Sequence, residues 1–134
     1  MLDRINAVVL AVRDVKKCAM FYRDMLGFRL DQLEDEEAYL TLGTGGTVLA
    51  LKSVQLVSKE IGEGRIRPKE EGANRTHLVV FVGDIEREYN DLKDRGVNFV
   101  SLPSPQLDGW RTAHFEDPEG NLWEISQRPK NRGA

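Results

Sequence analysis

The feature that most constrains this fold is an internal repeat of one strand–helix pattern. The segment Ala7–Val15 aligns with His77–Ile85, and each joins an apolar strand pattern to an aspartate suited to cap a following helix. At a slightly longer offset, Gly46–Leu51 aligns with Gly120–Ile125. Any two strand–helix units share some of this pattern, but the matching turns and strand numbers favour a duplication of one module.

Each half of the chain predicts a strand, a helix and three more strands. In the first half, a helix follows Asp14 and ends near Gly27, and strands are predicted at 7–12, 28–33, 38–42 and 47–53. In the second half, a helix follows Asp84 and ends at Gly96, and strands are predicted at 77–82, 97–102, 111–116 and 121–127. We therefore predict an α+β fold of two tandem βαβββ modules, whose curled mixed sheets surround a central cavity.

The 134 residues are predicted to form a single domain, 1–134, because a chain of this size buries a sizeable core without disulfides. Module one is expected at about 5–54 and module two at about 77–128. The connecting segment, 55–76, is rich in charge and glycine. It is long for a simple connection, which leaves a lid, a dimer arm and a mobile loop as alternatives.

Composition excludes several classes of function. The chain has 19 basic and 22 acidic residues, a net charge of -3, which gives no electrostatic support to nucleic-acid binding. No apolar run reaches the roughly 20 residues that span a bilayer, so no membrane partner is expected. The one cysteine, Cys18, lies on the apolar stripe of the first helix and is expected to be a packing thiol. A cytoplasmic protein is expected.

Strand parity selects the candidate site residues, because successive side chains of a strand point to opposite faces. In the last strand, bulky Trp123 is expected to pack under the helices, which turns Glu124 to the concave face. The same parity places His77 on the corresponding face of its own strand. The repeat matches these two positions with Ala7 and Ala50, so only the second module has metal-ligating groups there.

The duplication, together with the stretches Phe21–Phe28 and Asp117–Ile125, resembles the vicinal oxygen chelate superfamily over about residues 5–128. That superfamily includes glyoxalase I, fosfomycin-resistance thiol transferases, extradiol dioxygenases, methylmalonyl-CoA epimerase and bleomycin-resistance proteins. The resemblance implies the fold, but it does not imply one reaction, because the superfamily has several chemistries. It also implies a homodimer, a small-molecule ligand and one divalent ion, with Zn, Ni, Mn and Fe as candidates.

Carried over by position, the resemblance implies metal ligands at four places. Ala7 and Ala50 occupy two of them and cannot bind metal, which leaves His77 and Glu124. Glu124 is also the candidate catalytic group, since a carboxylate can move protons. His114, on the preceding strand, is either a reserve third ligand or a substrate-binding residue, because the matching position in fosfomycin-resistance proteins faces the substrate cavity.

Four other positions are candidates for substrate binding. Ala7 and Ala50 would line the first module with small groups that leave room for an apolar or planar ligand, or that merely let the modules approach. Trp110 could stack on a ring, and Arg111 could bind a carboxylate. Equally, Trp110 and Arg111 could only anchor their loop.

Two classes of function stay open. A metal-free module resembling the bleomycin-resistance proteins would bind a small aromatic or cationic compound. A divalent-metal-dependent lyase, isomerase, thiol transferase or dioxygenase would act on a small oxygen-chelating substrate and stabilise its developing negative charge. The incomplete set of ligands favours the binding module slightly.

Overall fold

The computed structural model describes residues 1–66 and 74–130. Within those residues no helix has the length and apolar character needed to cross a membrane. The elements in chain order are β1 (Ala7–Val12), α1 (Val15–Asp24), β2 (Arg29–Leu33), β3 (Glu37–Thr41), β4 (Val48–Ser53), α2 (Val54–Ile61), β5 (His77–Phe81), α3 (Ile85–Asp94), β6 (Asn98–Pro105), β7 (Arg111–Glu116) and β8 (Leu122–Gln127).

The chain divides into two compact units, residues 1–70 and residues 71–134. The sheet of the first unit has the strand order β1-β4-β3-β2, and the sheet of the second has the order β5-β8-β7-β6. In each sheet the first pair of strands is parallel and the other pairs are antiparallel. The prediction of an α+β fold built from two tandem βαβββ modules is therefore confirmed.

The two helices that the repeat predicts begin at the predicted aspartates. Asp14 accepts a hydrogen bond from the backbone N–H of Lys17 at 3.0 Å, and Asp84 accepts one from Arg87 at 3.2 Å. These bonds satisfy donors that the first turn of a helix leaves without a partner. After α1 the chain turns at Gly27, whose φ of 82° is a conformation that favours glycine.

In the second unit, an aromatic cluster packs α3 against its sheet. The ring centroids of Tyr89 and Phe99 are 4.6 Å apart, and those of Phe99 and Phe115 are 5.4 Å apart. Trp123 stacks on Phe115 at 6.2 Å and is only 5% exposed. Because Trp123 is buried in this core, its neighbour Glu124 points to the opposite face of β8, as strand parity predicts.

The segment expected to connect the modules contains a helix, α2, which the sequence analysis did not predict. Its N-cap is Ser53, whose hydroxyl accepts a hydrogen bond from the backbone N–H of Leu56 at 3.0 Å and donates one to Glu36 at 3.2 Å. Lys52 in β4 forms an ion pair with Glu60 of α2 at 3.0 Å. Ser53 is also the last residue of β4, so its strand pattern gave no indication that a helix begins there. Part of the segment, residues 67–73, lies outside the described residues.

Replacing Ser53 with alanine should destabilise the chain by about 1–2 kcal/mol, because the N-cap of α2 and a bond to Glu36 are both lost. Urea unfolding would measure the change in the free energy of unfolding. The matched control is Ser58→Ala, inside the same helix, which should change stability by less than about 0.5 kcal/mol. Equal effects of the two changes would contradict a capping role for Ser53.

Candidate metal centre

The sheet of the second unit brings together three side chains that can bind a metal: His77, His114 and Glu124. They belong to β5, β7 and β8, and β8 lies between the other two strands. Glu124 is directly opposite His114 on one side and opposite Val79 on the other. His77 is two residues from Val79, so all three candidates share one face of the sheet.

One carboxylate oxygen of Glu124 is the common point of the cluster. Its Oε1 atom is 2.9 Å from Nε2 of His114 and 3.3 Å from Nε2 of His77. The three potential ligand atoms all lie within 4.8 Å of one another. An ion bonded at about 2 Å to each of three ligands requires them to be roughly 3–4 Å apart. Small side-chain adjustments would therefore give that spacing.

Two serines fix the orientation of this cluster. The hydroxyl of Ser101 accepts a hydrogen bond from the backbone N–H of His114 and lies 2.9 Å from Nδ1 of the same residue. The buried hydroxyl of Ser126 donates to Oε2 of Glu124, which leaves Oε1 facing the two histidines. In metal centres the far nitrogen of a histidine ligand usually has such a partner. The two imidazoles and one carboxylate thus fit a divalent transition metal.

The pKa of Glu124 lies below its ordinary value of 4.5. Burial is the largest single influence and acts to raise the pKa, since the side chain is only 16% exposed. The hydrogen bonds from Ser126 and His114, together with the charges of His114 and His77, lower the pKa by more. Glu124 is therefore an anion near neutral pH.

The depressed pKa of Glu124 predicts a loss of stability in acid. The unfolded chain takes up the proton first, so the contribution of Glu124 is present above about pH 5 and is lost as pH falls through its folded pKa. Urea unfolding at intervals of about half a pH unit, between about pH 3 and pH 6, would measure how the free energy of unfolding depends on pH. The Glu124→Gln variant should show a shallower decline, and equal slopes would contradict the prediction.

A cavity of about 650 Å³ opens beside this cluster, within the second unit. His114, Glu124 and Ser126 contribute polar groups to its lining. Phe81 and Trp110 contribute aromatic rings, with centroids 5.0 Å apart. The volume is in the range of small-molecule sites, and a mostly apolar lining with a few converging polar groups is typical of them.

The remaining predicted site residues have different surroundings. Trp110 lines the cavity. Arg111 forms an ion pair with Glu86 of α3, so its guanidinium already has a carboxylate partner from the protein. Ala7 and Ala50 belong to the first unit, where Ala7 is exposed at the start of β1 and Ala50 is buried in β4. These two alanines are thus not part of the cluster in the second unit.

Several residues that line or support the cavity were not among the predicted site residues. Phe81 and Ser126 have the strand parity of His77 and Glu124 respectively, so parity placed them on the right face without assigning them a role. Ser101 had no such signal, because β6 pairs with β7 through register shifts on either side of it.

The fold and the cluster define a two-module α+β protein with a cavity of about 650 Å³ beside a candidate three-ligand metal centre. A family model described as the Glyoxalase/Bleomycin resistance protein/Dioxygenase superfamily matches residues 4–125. The chain belongs to this superfamily, as the sequence resemblance predicted.

Individual relatives and solved structures agree with this placement. YraH of Bacillus subtilis (strain 168) is 35% identical over 124 residues, which cover 91% of this chain and 96% of YraH. The metallothiol transferase FosB of Staphylococcus saprophyticus is 30% identical over 127 residues, which cover 93% of this chain and 77% of FosB. A glyoxalase/bleomycin resistance protein/dioxygenase from Nocardioides superposes with a TM-score of 0.81 at 26% identity, covering 98% of this chain and 87% of that one.

Proposed function

We propose that this chain is a divalent-metal-dependent enzyme that acts on a small oxygen-bearing molecule, with His77, His114 and Glu124 as the metal ligands. The observation that supports this most directly is the convergence of both histidines on Oε1 of Glu124. Three protein ligands leave coordination positions open for water or for substrate oxygens. When bound, the ion would supply Lewis acidity to those oxygens.

The protein's own groups would orient the ligands and handle protons. Ser101 and Ser126 restrict the rotamers of His114 and Glu124 through the hydrogen bonds described above. The depressed pKa of Glu124 keeps it ionised, which suits metal ligation. As a carboxylate anion it is also the group that would accept a proton from a bound substrate, although the low pKa makes it a weak base. Phe81 and Trp110 would exclude water from one side of the cavity.

The similarity to a metallothiol transferase makes thiol transfer the first reaction to test. In the reaction that we propose for this chain, a thiol sulfur would form a bond to a carbon of the substrate, the bond from this carbon to oxygen would break, and the thiol proton would end on the oxygen. The resemblance stated from sequence implies metal ligands at positions 7 and 50, where this chain has Ala7 and Ala50. In our proposal His114 supplies a third ligand beside His77 and Glu124.

The second candidate function is binding of a small aromatic molecule without metal. The observation that favours it is the exposed aromatic surface of the cavity, since Phe81 is 57% exposed and its ring lies beside Trp110. In this case the triad would contribute hydrogen bonds to the ligand and no metal chemistry.

The experiment that tests the proposed function is calorimetric titration of chelator-stripped protein with Zn, Ni, Mn and, without oxygen, Fe(II). We expect one ion per chain for the wild type and none for a variant in which His77, His114 and Glu124 are all alanine. The loaded protein is then assayed for opening of simple epoxides by small thiols. If no ion bound to the wild type more tightly than to the triple-alanine variant, the metal proposal would be overturned. Tight binding without transfer would overturn only the choice of reaction.

A further inference from the structure

The guanidinium of Arg128, which is not itself a lining residue, lies against two aromatic rings that line the cavity. It is 5.2 Å from the ring centroid of Phe81 and 6.0 Å from that of Trp110. Both rings line the cavity. Phe81 is opposite Ser126 in the sheet, two residues along β8 from Glu124. Arg128 is thus positioned beside the part of the cavity that the rings form, not at the histidines.

The hydrogen-bond donors of Arg128 are not engaged by an acidic side chain within residues 1–66 and 74–130. Arg111 differs, because it is already paired with Glu86. A guanidinium held near aromatic rings by cation–π attraction keeps its N–H groups along its planar edges, where they can still donate hydrogen bonds. Those edges match the two oxygens of a carboxylate, phosphonate or phosphate.

We propose that Arg128 recognises an acidic group of the ligand, so that the substrate is a small acid with an apolar body lying along Phe81 and Trp110. This inference rests on the proposed function for the placement of the oxygen-bearing end at the triad, whereas recognition of the acid needs no metal. Residues two apart in a strand are separated by about 7 Å. A ligand with one or two rings is therefore long enough to reach from Glu124 to Phe81, which lies opposite Ser126 two residues further along β8.

The cavity also contains one acidic group outside the triad, Asp108, which accepts a hydrogen bond from the backbone N–H of Trp110 at 3.1 Å. This carboxylate would favour a cationic ligand, the opposite of what Arg128 favours. A cationic probe therefore belongs in the test beside the acidic probes.

The test measures binding to metal-free protein in the presence of a chelator, by calorimetry. The probes are 2-naphthoate, 2-naphthylphosphonate, the neutral 2-naphthamide and 2-naphthylmethylammonium. We expect both acids to bind more tightly than the amide and the ammonium, and Arg128→Gln to weaken the acids about tenfold or more, as expected for loss of hydrogen bonds between charged groups. The amide should change less than about twofold, and the two acids show which oxyanion Arg128 prefers. Arg111→Gln is the matched control and should bind all four probes as the wild type does.

If Arg128→Gln lost affinity for the acids and for the amide equally, Arg128 would only cover the rings, and the inference would be overturned. Tighter binding of the ammonium probe, or no binding of either acid at millimolar concentration, would overturn it as well. Metal titration of the same Arg128→Gln protein keeps the two proposals apart, because that exposed residue is not a ligand. If Arg128→Gln loses affinity for the acids but still binds metal normally, both proposals are supported. If the wild type binds the acids through Arg128 but binds no metal, only the present inference is supported.

Discussion

Replacing Glu124 with glutamine is expected to lower the affinity for a divalent metal at least about 100-fold. Oxygen Oε1 is the atom on which both histidines converge, and glutamine removes its negative charge while preserving the size of the side chain. Changes outside the ligand set already reduce metal affinity about 10–100-fold. The loss of an anionic ligand should therefore exceed that range, as measured by competition with a chromophoric chelator.

The matched control is Glu116→Gln, which removes a charge from β7 two residues from His114 but outside the cluster. It should change metal affinity less than about threefold, because partly exposed charges are screened. The changes His77→Ala and His114→Ala should each weaken binding as strongly as Glu124→Gln. Normal affinity in His114→Ala would remove that residue from the ligand set and return it to a role in substrate binding.

His77 and Glu124 of the candidate centre could be selected from sequence because strand parity is a local property. Parity depends only on where a strand begins, and the apolar core residue Trp123 fixes that for the last strand. His114 was named instead from the family resemblance, and its role stayed open between metal and substrate. The direct opposition of His114 and Glu124 depends on the pairing of β7 with β8, which parity alone does not give.

Contacts that depend on a distant element were not predictable. Arg111 lies at the start of β7, and nothing local indicates that α3 presents Glu86 to it. Ser101 reaches His114 only because β6 has shifted register. Arg128 follows the last strand as an ordinary charged residue, and its contact with two rings requires the fold of the whole second unit.

Removing the side chain of Asp117 is expected to destabilise the fold by about 3 kcal/mol. Asp117 is 4% exposed and opens the turn between β7 and β8. Its carboxylate accepts hydrogen bonds from the backbone N–H of Glu119 at 2.9 Å, from that of Asn121 at 2.8 Å and from the Asn121 side chain at 2.8 Å. Alanine would leave these donors unsatisfied, and one lost bond to a charged group already costs about 1.5–3 kcal/mol.

The same turn joins the strands of His114 and Glu124, so Asp117→Ala should also weaken metal binding without removing a ligand. Because β7 and β8 pair along their whole length, we expect the loss of affinity to be smaller than for Glu124→Gln. Urea unfolding and metal titration of one protein preparation would measure both effects. Asp108→Ala is the control from another turn of this unit, since its carboxylate is exposed and accepts one hydrogen bond from Trp110. The Asp108→Ala change should lower the free energy of unfolding by less than about 1 kcal/mol. If Asp117→Ala were as stable as Asp108→Ala, the turn would form without the carboxylate of Asp117.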